Sequence, residues 1–239
     1  MNAIEIHNLT KKYKNNRGIE DVSLTVNSGE IFGLLGPNGC GKTTTMKILT
    51  GLLFQDKGSV SFFGENTANN KKIMSQVGCM IEEPAFYPYL TAEENLKTLL
   101  ELYRELTPKH IDDVLDMVGL AKYKNEPVGK FSMGMKQKLY FCTAILHNPK
   151  LLILDEPTNG LDISSTACIR KILKDFTKNG GTILLSSHIA SEIEKACTSA
   201  AVMSDGKIID NVKIDEAAAK YGSVEDYYLH LMDEEEDMQ

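Results

Sequence analysis

Apolar residues follow two different spacings along this chain, and these spacings predict the order of strands and helices. Runs that are apolar, or that alternate with polar residues, predict strands at 3–10, 20–26, 31–35, 151–154 and 182–185. Apolar residues three and four positions apart predict amphipathic helices around 96–103, 111–118 and 169–176. Because strand, helix and strand alternate in the second half, we expect a parallel sheet with right-handed crossovers.

The middle and the end of the chain differ from this alternation. Helical spacing without strand runs extends from about residue 91 to about residue 146, and Pro108 suits the first turn of a helix. We therefore expect a helical region packed beside the sheet. Further on, the runs at 200–203 and 207–210 are separated by Asp205-Gly206, which predicts a closing hairpin.

Composition and charge argue against several classes of protein. The 239 residues are 42% hydrophobic and 25% charged, which is ordinary for a globular domain with a core of normal size. A formal net charge of −7 argues against binding to nucleic acid, which needs a basic surface. No stretch reaches the roughly 18 apolar residues that span a bilayer, and we find no secretory signal. We expect a cytosolic chain that does not itself span the membrane.

The spacing of the cysteines and the acidic end of the chain indicate no disulfide, no metal site and no further function. The five cysteines are scattered without a CxxC pair, so we expect reduced thiols rather than disulfides or a metal site. The run Asp233-Glu234-Glu235-Glu236-Asp237 is typical of a solvated, frayed end.

One glycine-rich segment matches the phosphate-binding pattern GxxxxGK[ST] at every fixed position. It follows a predicted strand and precedes a predicted helix, so backbone N–H groups and the helix dipole would both face a phosphate. We expect Lys42 to reach the β- and γ-phosphates and the Thr43 hydroxyl to ligate Mg²⁺. The predicted nucleotide-binding residues of this segment are Gly36, Pro37, Asn38, Gly39, Cys40, Gly41, Lys42, Thr43 and Thr44.

Two carboxylates follow the apolar run at 151–154. Asp155 comes directly after it, where an acidic side chain at the carboxyl edge of a parallel sheet is placed to hold Mg²⁺. Glu156 is next and is suited to polarise a water molecule for attack on the γ-phosphate. An acid after a strand is often only a loop residue, but the phosphate-binding segment favours the catalytic interpretation.

The order of these motifs resembles the nucleotide-binding subunit of ATP-binding cassette transporters, from about Ile4 to about Leu231. Further residues carry the resemblance: the signature-like Phe131-Ser132-Met133-Gly134-Met135-Lys136-Gln137, the D-loop-like Asn159-Gly160-Leu161-Asp162, the switch-like His188 and the adenine-stacking Tyr13.

The resemblance implies an α/β fold of the P-loop NTPase type, with an N-terminal antiparallel β subdomain and a helical subdomain that carries the signature. It implies a single domain over 1–231, with the core and β subdomain in 1–90 and 148–210 and the helical subdomain in 91–147. A C-terminal extension with the acidic tail would cover 211–239.

In this family two copies bind two ATP molecules between them, head to tail. By resemblance, Ser132 and Gly134 of one copy would contact the γ-phosphate that Lys42 of the other copy holds. Asp162 would cross the interface between the two sites. A short Ser-x-Gly segment at a helix N-terminus suits phosphate binding.

The catalytic set implied by the resemblance is Glu156, His188 and Lys42, with ATP and Mg²⁺ as cofactors. His188 would hold the γ-phosphate and position the attacking water together with Glu156. Simpler interpretations stay open for some binding residues: Ser132 also suits a helix cap, His188 could be an ordinary surface histidine, and Tyr13 could only pack against the sheet.

Several positions depart from the family pattern. By spacing, Glu82 stands where the family usually has Gln, with Glu83 as the alternative, and a carboxylate there would offer Mg²⁺ a full negative charge. Together with the altered signature residues Met133 and Met135, this resembles the branch that exports bacitracin and lantibiotics. The aromatic segment 86–89 would meet the coupling helix of a permease, or pack locally.

Cys40 lies inside the phosphate-binding segment, where the family more often has Ala or Ser. We expect Lys42 and the helix N-terminus to lower the pKa of the Cys40 thiol. Thiol reagents should then inactivate the protein, and MgATP should protect it.

These features favour a transporter ATPase subunit that homodimerises on binding ATP and works with an integral membrane permease on a separate chain. It would lie at the inner face of the cell membrane and drive export, with an antimicrobial peptide as the cargo implied by the branch. The alternatives are another cargo, or a cassette ATPase outside transport, such as a cofactor-assembly factor. A GTPase is disfavoured because no Asn-Lys-x-Asp segment is present.

Overall fold

The computed structural model describes residues 1–14, 17–68, 70–103 and 105–237. Its strands are β1 (Asn2–Lys12), β2 (Gly18–Asn27), β3 (Ile31–Leu35), β4 (Lys57–Phe62), β5 (Glu65–Asn66), β6 (Val77–Met80), β7 (Leu151–Leu154), β8 (Thr182–Ser187), β9 (Ser199–Ser204) and β10 (Lys207–Lys213). Its α-helices are α1 (Lys42–Leu49), α2 (Lys71–Met74), α3 (Ala92–Leu100), α4 (Pro108–Met117), α5 (Met133–Ile145), α6 (Ile163–Lys178), α7 (Ala190–Ala196), α8 (Ile214–Tyr221) and α9 (Val224–Asp237).

The larger sheet has the strand order β10-β9-β3-β8-β7-β6. Every neighbouring pair in it is parallel except β10 and β9, which form the predicted antiparallel hairpin. Strands β3, β7 and β8 are buried along their whole length, as expected for central strands covered on both faces. Their carboxyl ends lie side by side, so the residues that follow β3 and β7 meet at one edge of the sheet.

A smaller antiparallel sheet has the order β2-β1-β4-β5. Its apolar face packs on the larger sheet and on α1, in a core that joins Ile4, Val26 and Phe62 to Leu34 and Met46. This sheet confirms the predicted antiparallel β region, and its core includes Met46, Ile48 and Leu49 of α1.

The middle of the chain is helical, as the sequence predicts. Helix α3 begins with a capping box in which the Glu94 N–H donates to the Thr91 hydroxyl and the Thr91 N–H donates to the Glu94 carboxylate. Pro108 is the first residue of α4. Two short 3₁₀ turns, Ala121–Tyr123 and Val128–Lys130, lead into α5. The apolar faces of these helices share one core with the larger sheet.

The expectation of a frayed end was wrong. The acidic run belongs to α9, which continues through Asp237, and Asp233 and Glu234 lie exposed on it. Across the described parts of the chain, no helix combines the length and the apolar character needed to cross a membrane.

Candidate functional site

The phosphate-binding segment turns sharply between β3 and α1. An alanine Cβ at position 36 would lie 2.2 Å from the Met203 carbonyl oxygen, so the chain itself requires glycine there. The Lys42 side chain is only 5% exposed, and its ammonium donates to the carbonyl oxygens of Gly36 at 2.7 Å and Pro37 at 3.0 Å. The amine is thus held over the loop whose N–H groups would face a phosphate.

Asp155 is fixed from three directions at the carboxyl edge of the sheet. The Thr43 hydroxyl, in the first turn of α1, donates to its Oδ2 at 2.7 Å. The Ser186 hydroxyl, on β8, donates to its Oδ1 at 2.5 Å. The Asp155 N–H donates to the Met80 carbonyl at 2.7 Å. A hydroxyl and a carboxylate in contact form the hard oxygen donor set that Mg²⁺ prefers.

Glu156 and His188 form a pair above this edge. The His188 Nδ1 lies 2.9 Å and 2.8 Å from the two carboxylate oxygens of Glu156. The Lys42 ammonium is 3.9 Å from the same carboxylate. Glu156 has a φ of 49°, in the left-handed region that residues with side chains seldom adopt, and its N–H is fixed by the Ser186 hydroxyl at 3.0 Å. The arrangement holds one carboxylate between a histidine and a lysine.

A cleft beside the phosphate-binding loop extends toward the end of β1. It is lined by Lys12, Arg17–Glu20, Pro37–Cys40, Asp205 and Gly206. Lys12, next to Tyr13 in the chain, and Arg17 are among the residues that line it. Tyr13 is not one of the described lining residues, and it is 40% exposed. The Tyr13 N–H donates to the carbonyl oxygen of Arg17 at 2.8 Å, so Tyr13 is joined to a residue that lines the cleft.

The signature-like segment faces the same edge from the helical region. Ser132 caps α5 by accepting a hydrogen bond from the Met135 N–H at 3.2 Å. The Gln137 amide donates to the carbonyl oxygens of Glu156 at 3.4 Å and Pro157 at 3.3 Å. One open cleft is lined by Thr43, Glu82–Pro84, Met133, Lys136, Gln137, Asp155, Glu156 and Asn159.

Asp162 caps α6 instead of reaching toward these groups. Its Oδ1 accepts a hydrogen bond from the Ser165 N–H at 2.7 Å and another from the Ser164 hydroxyl at 3.0 Å. The bond from the Ser165 backbone holds the pKa of the Asp162 carboxyl below its usual value. The exposed D-loop-like turn thus leads directly into a capped helix.

Comparison with known proteins assigns this arrangement to a family. Residues 19–159 match the family model described as ABC transporter. The chain belongs to the ABC transporter family. The cassette is 42% identical to the bacitracin transport ATP-binding protein BcrA of Bacillus licheniformis, over 89% of this chain and 70% of that protein. It is 39% identical to the lantibiotic transport ATP-binding protein SrtF of Streptococcus pyogenes, over 86% of this chain and 89% of that protein.

Solved structures agree with the assignment. An ATP-binding subunit of an ABC transporter superposes with a TM-score of 0.86 at 29% identity, over 96% of this chain and 99% of that chain. A dimeric ATP-binding cassette with bound ADP and Pi superposes with a TM-score of 0.81 at 25% identity, over 88% of this chain and 98% of that chain. This confirms the predicted P-loop fold, and the chain is an ATP-binding subunit whose ATP hydrolysis is coupled to transport.

Glu82 lies on the rim of the cassette's open cleft. Its φ is 63°, and its carboxylate forms an ion pair with the Lys47 ammonium of α1. Glu83, the alternative by spacing, lines the same cleft. The two differ in geometry: the positive φ and the ion pair with Lys47 belong to Glu82.

The expectation for Cys40 was wrong in sign. The side chain is 4% exposed, and burial raises the pKa of the Cys40 thiol even though the Lys42 charge and backbone N–H groups act to lower it. The nearby positive charge therefore does not make this thiol reactive.

Two residues of the site were missed by sequence reasoning. Ser186 fixes both Asp155 and the Glu156 backbone. Glu192, on α7, accepts hydrogen bonds from the Thr158 hydroxyl at 2.7 Å and the Ser187 hydroxyl at 3.2 Å. It thus joins the segment after Glu156 to the segment before His188. The sequence offers one signal for Ser186: it follows the predicted strand 182–185 directly, as Asp155 follows the predicted strand 151–154. The structure adds that these two strand ends are neighbours.

Proposed function

We propose that Glu156 is the general base of ATP hydrolysis in this cassette and that His188 positions it. The observation that carries the proposal is the contact of His188 Nδ1 with both Glu156 carboxylate oxygens, with the Lys42 ammonium 3.9 Å from the same group. A carboxylate held between two basic groups beside a phosphate-binding loop is placed to take a proton from water.

The reaction assigned to these residues is in-line attack of a water oxygen on the γ-phosphorus. The bond from that phosphorus to the β–γ bridging oxygen breaks, and the water proton passes to Glu156. Lys42 and the loop N–H groups bind the phosphate oxygens and stabilise the charge that moves to the ADP leaving group. The segment 36–44 would bind the phosphates, and the adenine would lie beside the cleft that Lys12 and Arg17 line, next to Tyr13.

Thr43 and Asp155 would hold Mg²⁺, with Glu82 as a third oxygen donor. The contact between hydroxyl and carboxylate at the first turn of α1 fits a hard divalent cation. When bound, the ion would neutralise charge on the β- and γ-phosphate oxygens. Glu82 would have to leave Lys47 to take part.

A second copy would complete the site with Ser132 and Gly134, and Asp162 would lie at the interface. Ser132 is exposed at the N-terminus of α5, where N–H groups and the helix dipole favour an anion. The dimeric cassette with bound ADP and Pi, 25% identical to this chain, supports such an arrangement.

The transport path would come from an integral membrane permease on a separate chain, which would hold this subunit at the inner face of the membrane. Tyr87 is 54% exposed and Tyr89 is 73% exposed, so these aromatic side chains are available for that contact. The names of the bacitracin and lantibiotic transport relatives support export of an antimicrobial peptide.

Glu156→Gln tests the catalytic assignment. Removing the base while keeping the shape should lower kcat by about 10²- to 10⁴-fold and leave a MgATP-bound dimer, detected by size-exclusion chromatography with light scattering. Glu225→Gln, at an exposed position in the first turn of α9, is the control and should behave as wild type. A Glu156→Gln protein that stays monomeric with MgATP and hydrolyses normally would show that the assignment is wrong.

The cargo is tested by resistance. Cells that express this subunit with its permease should tolerate higher concentrations of bacitracin or a lantibiotic, and the Glu156→Gln version should abolish the protection. An antibiotic that is not a peptide serves as the control. If cells with the active subunit and its permease tolerate no peptide antibiotic better than cells without them, the cargo assignment is wrong. The ATPase assignment would be unaffected.

A further inference from the structure

A single tyrosine hydroxyl joins the signature helix to the sheet edge. Tyr140 lies on α5, and its hydroxyl accepts a hydrogen bond from the Ile81 N–H at 2.9 Å and donates one to the Ile81 carbonyl at 2.9 Å. Both backbone polar groups of one residue are thus satisfied by one side chain from another part of the fold. Ile81 is 6% exposed, so these groups need partners within the protein.

Ile81 occupies a position that matters for the active site. It is the first residue after β6, and the carbonyl of the preceding Met80 accepts the hydrogen bond from the Asp155 N–H at 2.7 Å. The next residue is Glu82. The Tyr140 hydroxyl therefore binds the residue that lies between Met80, the partner of the Asp155 N–H, and Glu82.

Two elements hold this short segment from opposite sides. Lys47 on α1 pairs with the Glu82 carboxylate from the phosphate-loop side, whereas Tyr140 on α5 binds the backbone from the signature side. Glu82 has a φ of 63°, which surrounding contacts must maintain. The Tyr140 ring also meets Phe86 edge-on, with centroids 6.4 Å apart, at the start of the exposed aromatic segment.

We propose that Tyr140 is a positioning residue for ATP hydrolysis: its hydroxyl fixes the backbone before Glu82 to α5, so that the Glu82 carboxylate and Ser132 move together. The inference rests on the proposed function, in which Glu82 approaches the metal side of the site and Ser132 approaches the nucleotide of a second copy. Because two hydrogen bonds join the Tyr140 hydroxyl to the Ile81 backbone, a displacement of α5 moves Ile81 and, with it, the adjacent Glu82.

Tyr140→Phe tests the inference because it removes only the hydroxyl and keeps the ring beside Phe86. In the Glu156→Gln background, hydrogen exchange at the Ile81 amide should become at least about tenfold faster, because the N–H loses its partner. The Mg²⁺ concentration for half-maximal ATP-induced dimerisation should rise several-fold. In the wild-type background kcat should fall several-fold while KM for ATP stays nearly constant, since Lys42 and the loop are untouched.

Tyr123→Phe is the matched control. Tyr123 also lies in the helical region and also meets a phenylalanine edge-on, Phe131, with centroids 6.4 Å apart. It should leave the Ile81 exchange, the Mg²⁺ dependence and kcat unchanged.

The outcomes separate this inference from the proposed function. Unchanged Ile81 exchange in Tyr140→Phe would overturn the inference, and so would faster exchange with unchanged Mg²⁺ dependence and kcat, since the hydroxyl would then be only structural. If the parent Glu156→Gln protein does not dimerise with MgATP, the proposed function fails and the inference fails with it.

Discussion

The two segments that would contact ATP in this cassette differ in how tightly the rest of the chain packs around their key residues. In the phosphate-binding loop, Lys42 is 5% exposed and Cys40 is 4% exposed, and the loop packs against the Met203 carbonyl. In the signature segment, Met133 is 68% exposed and Ser132 is also exposed. An alanine Cβ at position 134 would meet atoms no closer than 3.6 Å, which is ordinary van der Waals contact.

This difference indicates where the requirement for each residue originates. Gly36 is required by the chain's own backbone, whatever the loop binds. Gly134 lies at the start of a helix, where alanine would give the more stable helix. Nothing described in its own chain excludes a methyl group there, so the fold itself does not explain the glycine. The signature residues thus suit a surface that meets something beyond this chain, as the second copy in the proposed function does.

Gly36→Ala should have the largest effect. The added methyl would lie 2.2 Å from a backbone oxygen that cannot rotate away, so the free energy of unfolding should fall by about 3 kcal/mol or more. Urea unfolding with linear extrapolation measures the change. A Gly36→Ala protein of wild-type stability would show that the loop adapts and that the contrast between the two segments is overstated.

Gly134→Ala should give the opposite pattern. The free energy of unfolding should stay the same or rise by up to about 1 kcal/mol, because alanine favours the helix and meets no clash. Hydrolysis should fall by about 100-fold if a second copy must approach this backbone closely, as for loss of one transition-state donor. Urea unfolding and steady-state phosphate release measure the two quantities.

Gly119→Ala is a useful comparison for Gly134→Ala. A Cβ added at Gly119 would meet no atom within 4 Å, but the φ of Gly119 is 73°. Alanine there should therefore lower the free energy of unfolding by about 1 kcal/mol and leave hydrolysis unchanged. Full hydrolysis by Gly134→Ala would remove the reason for assigning the signature segment to a second copy.

The strands could be predicted where burial gives a continuous apolar signal. β3 and β7 match their predicted bounds, because each is buried on both faces. Strand β4 was missed, because its first three residues are exposed and only Val60 and Phe62 are buried. A short, half-exposed strand of this kind, which lies between β1 and β5, is specified by its neighbours rather than by its own pattern.

The candidate site likewise has a part that a local sequence pattern predicts and a part that depends on the fold. The residues of the phosphate-binding pattern are contiguous, so one local motif identifies them. Ser186 and Glu192 act on residues 31 and 34 positions away, and such contacts depend on strand order and on the position of α7. The Tyr140–Ile81 contact spans 59 positions and has no local signal at all. Hydrogen bonds between residues far apart in the sequence therefore could not be predicted from the sequence.

Cys40 shows why a nearby charge is not enough to predict reactivity. Only the thiolate reacts with alkylating reagents, and a raised pKa lowers the thiolate fraction at neutral pH. We expect iodoacetamide at pH 7.5 to label Cys40 at least about tenfold more slowly than the less buried Cys168. The Cys40 rate should keep rising with pH after an ordinary thiol, with a pKa of about 8.5, has become fully ionised. Peptide mass spectrometry at timed intervals measures both rates in one sample. Rapid labelling of Cys40 that MgATP suppresses would show that the thiol is activated, as the sequence predicted.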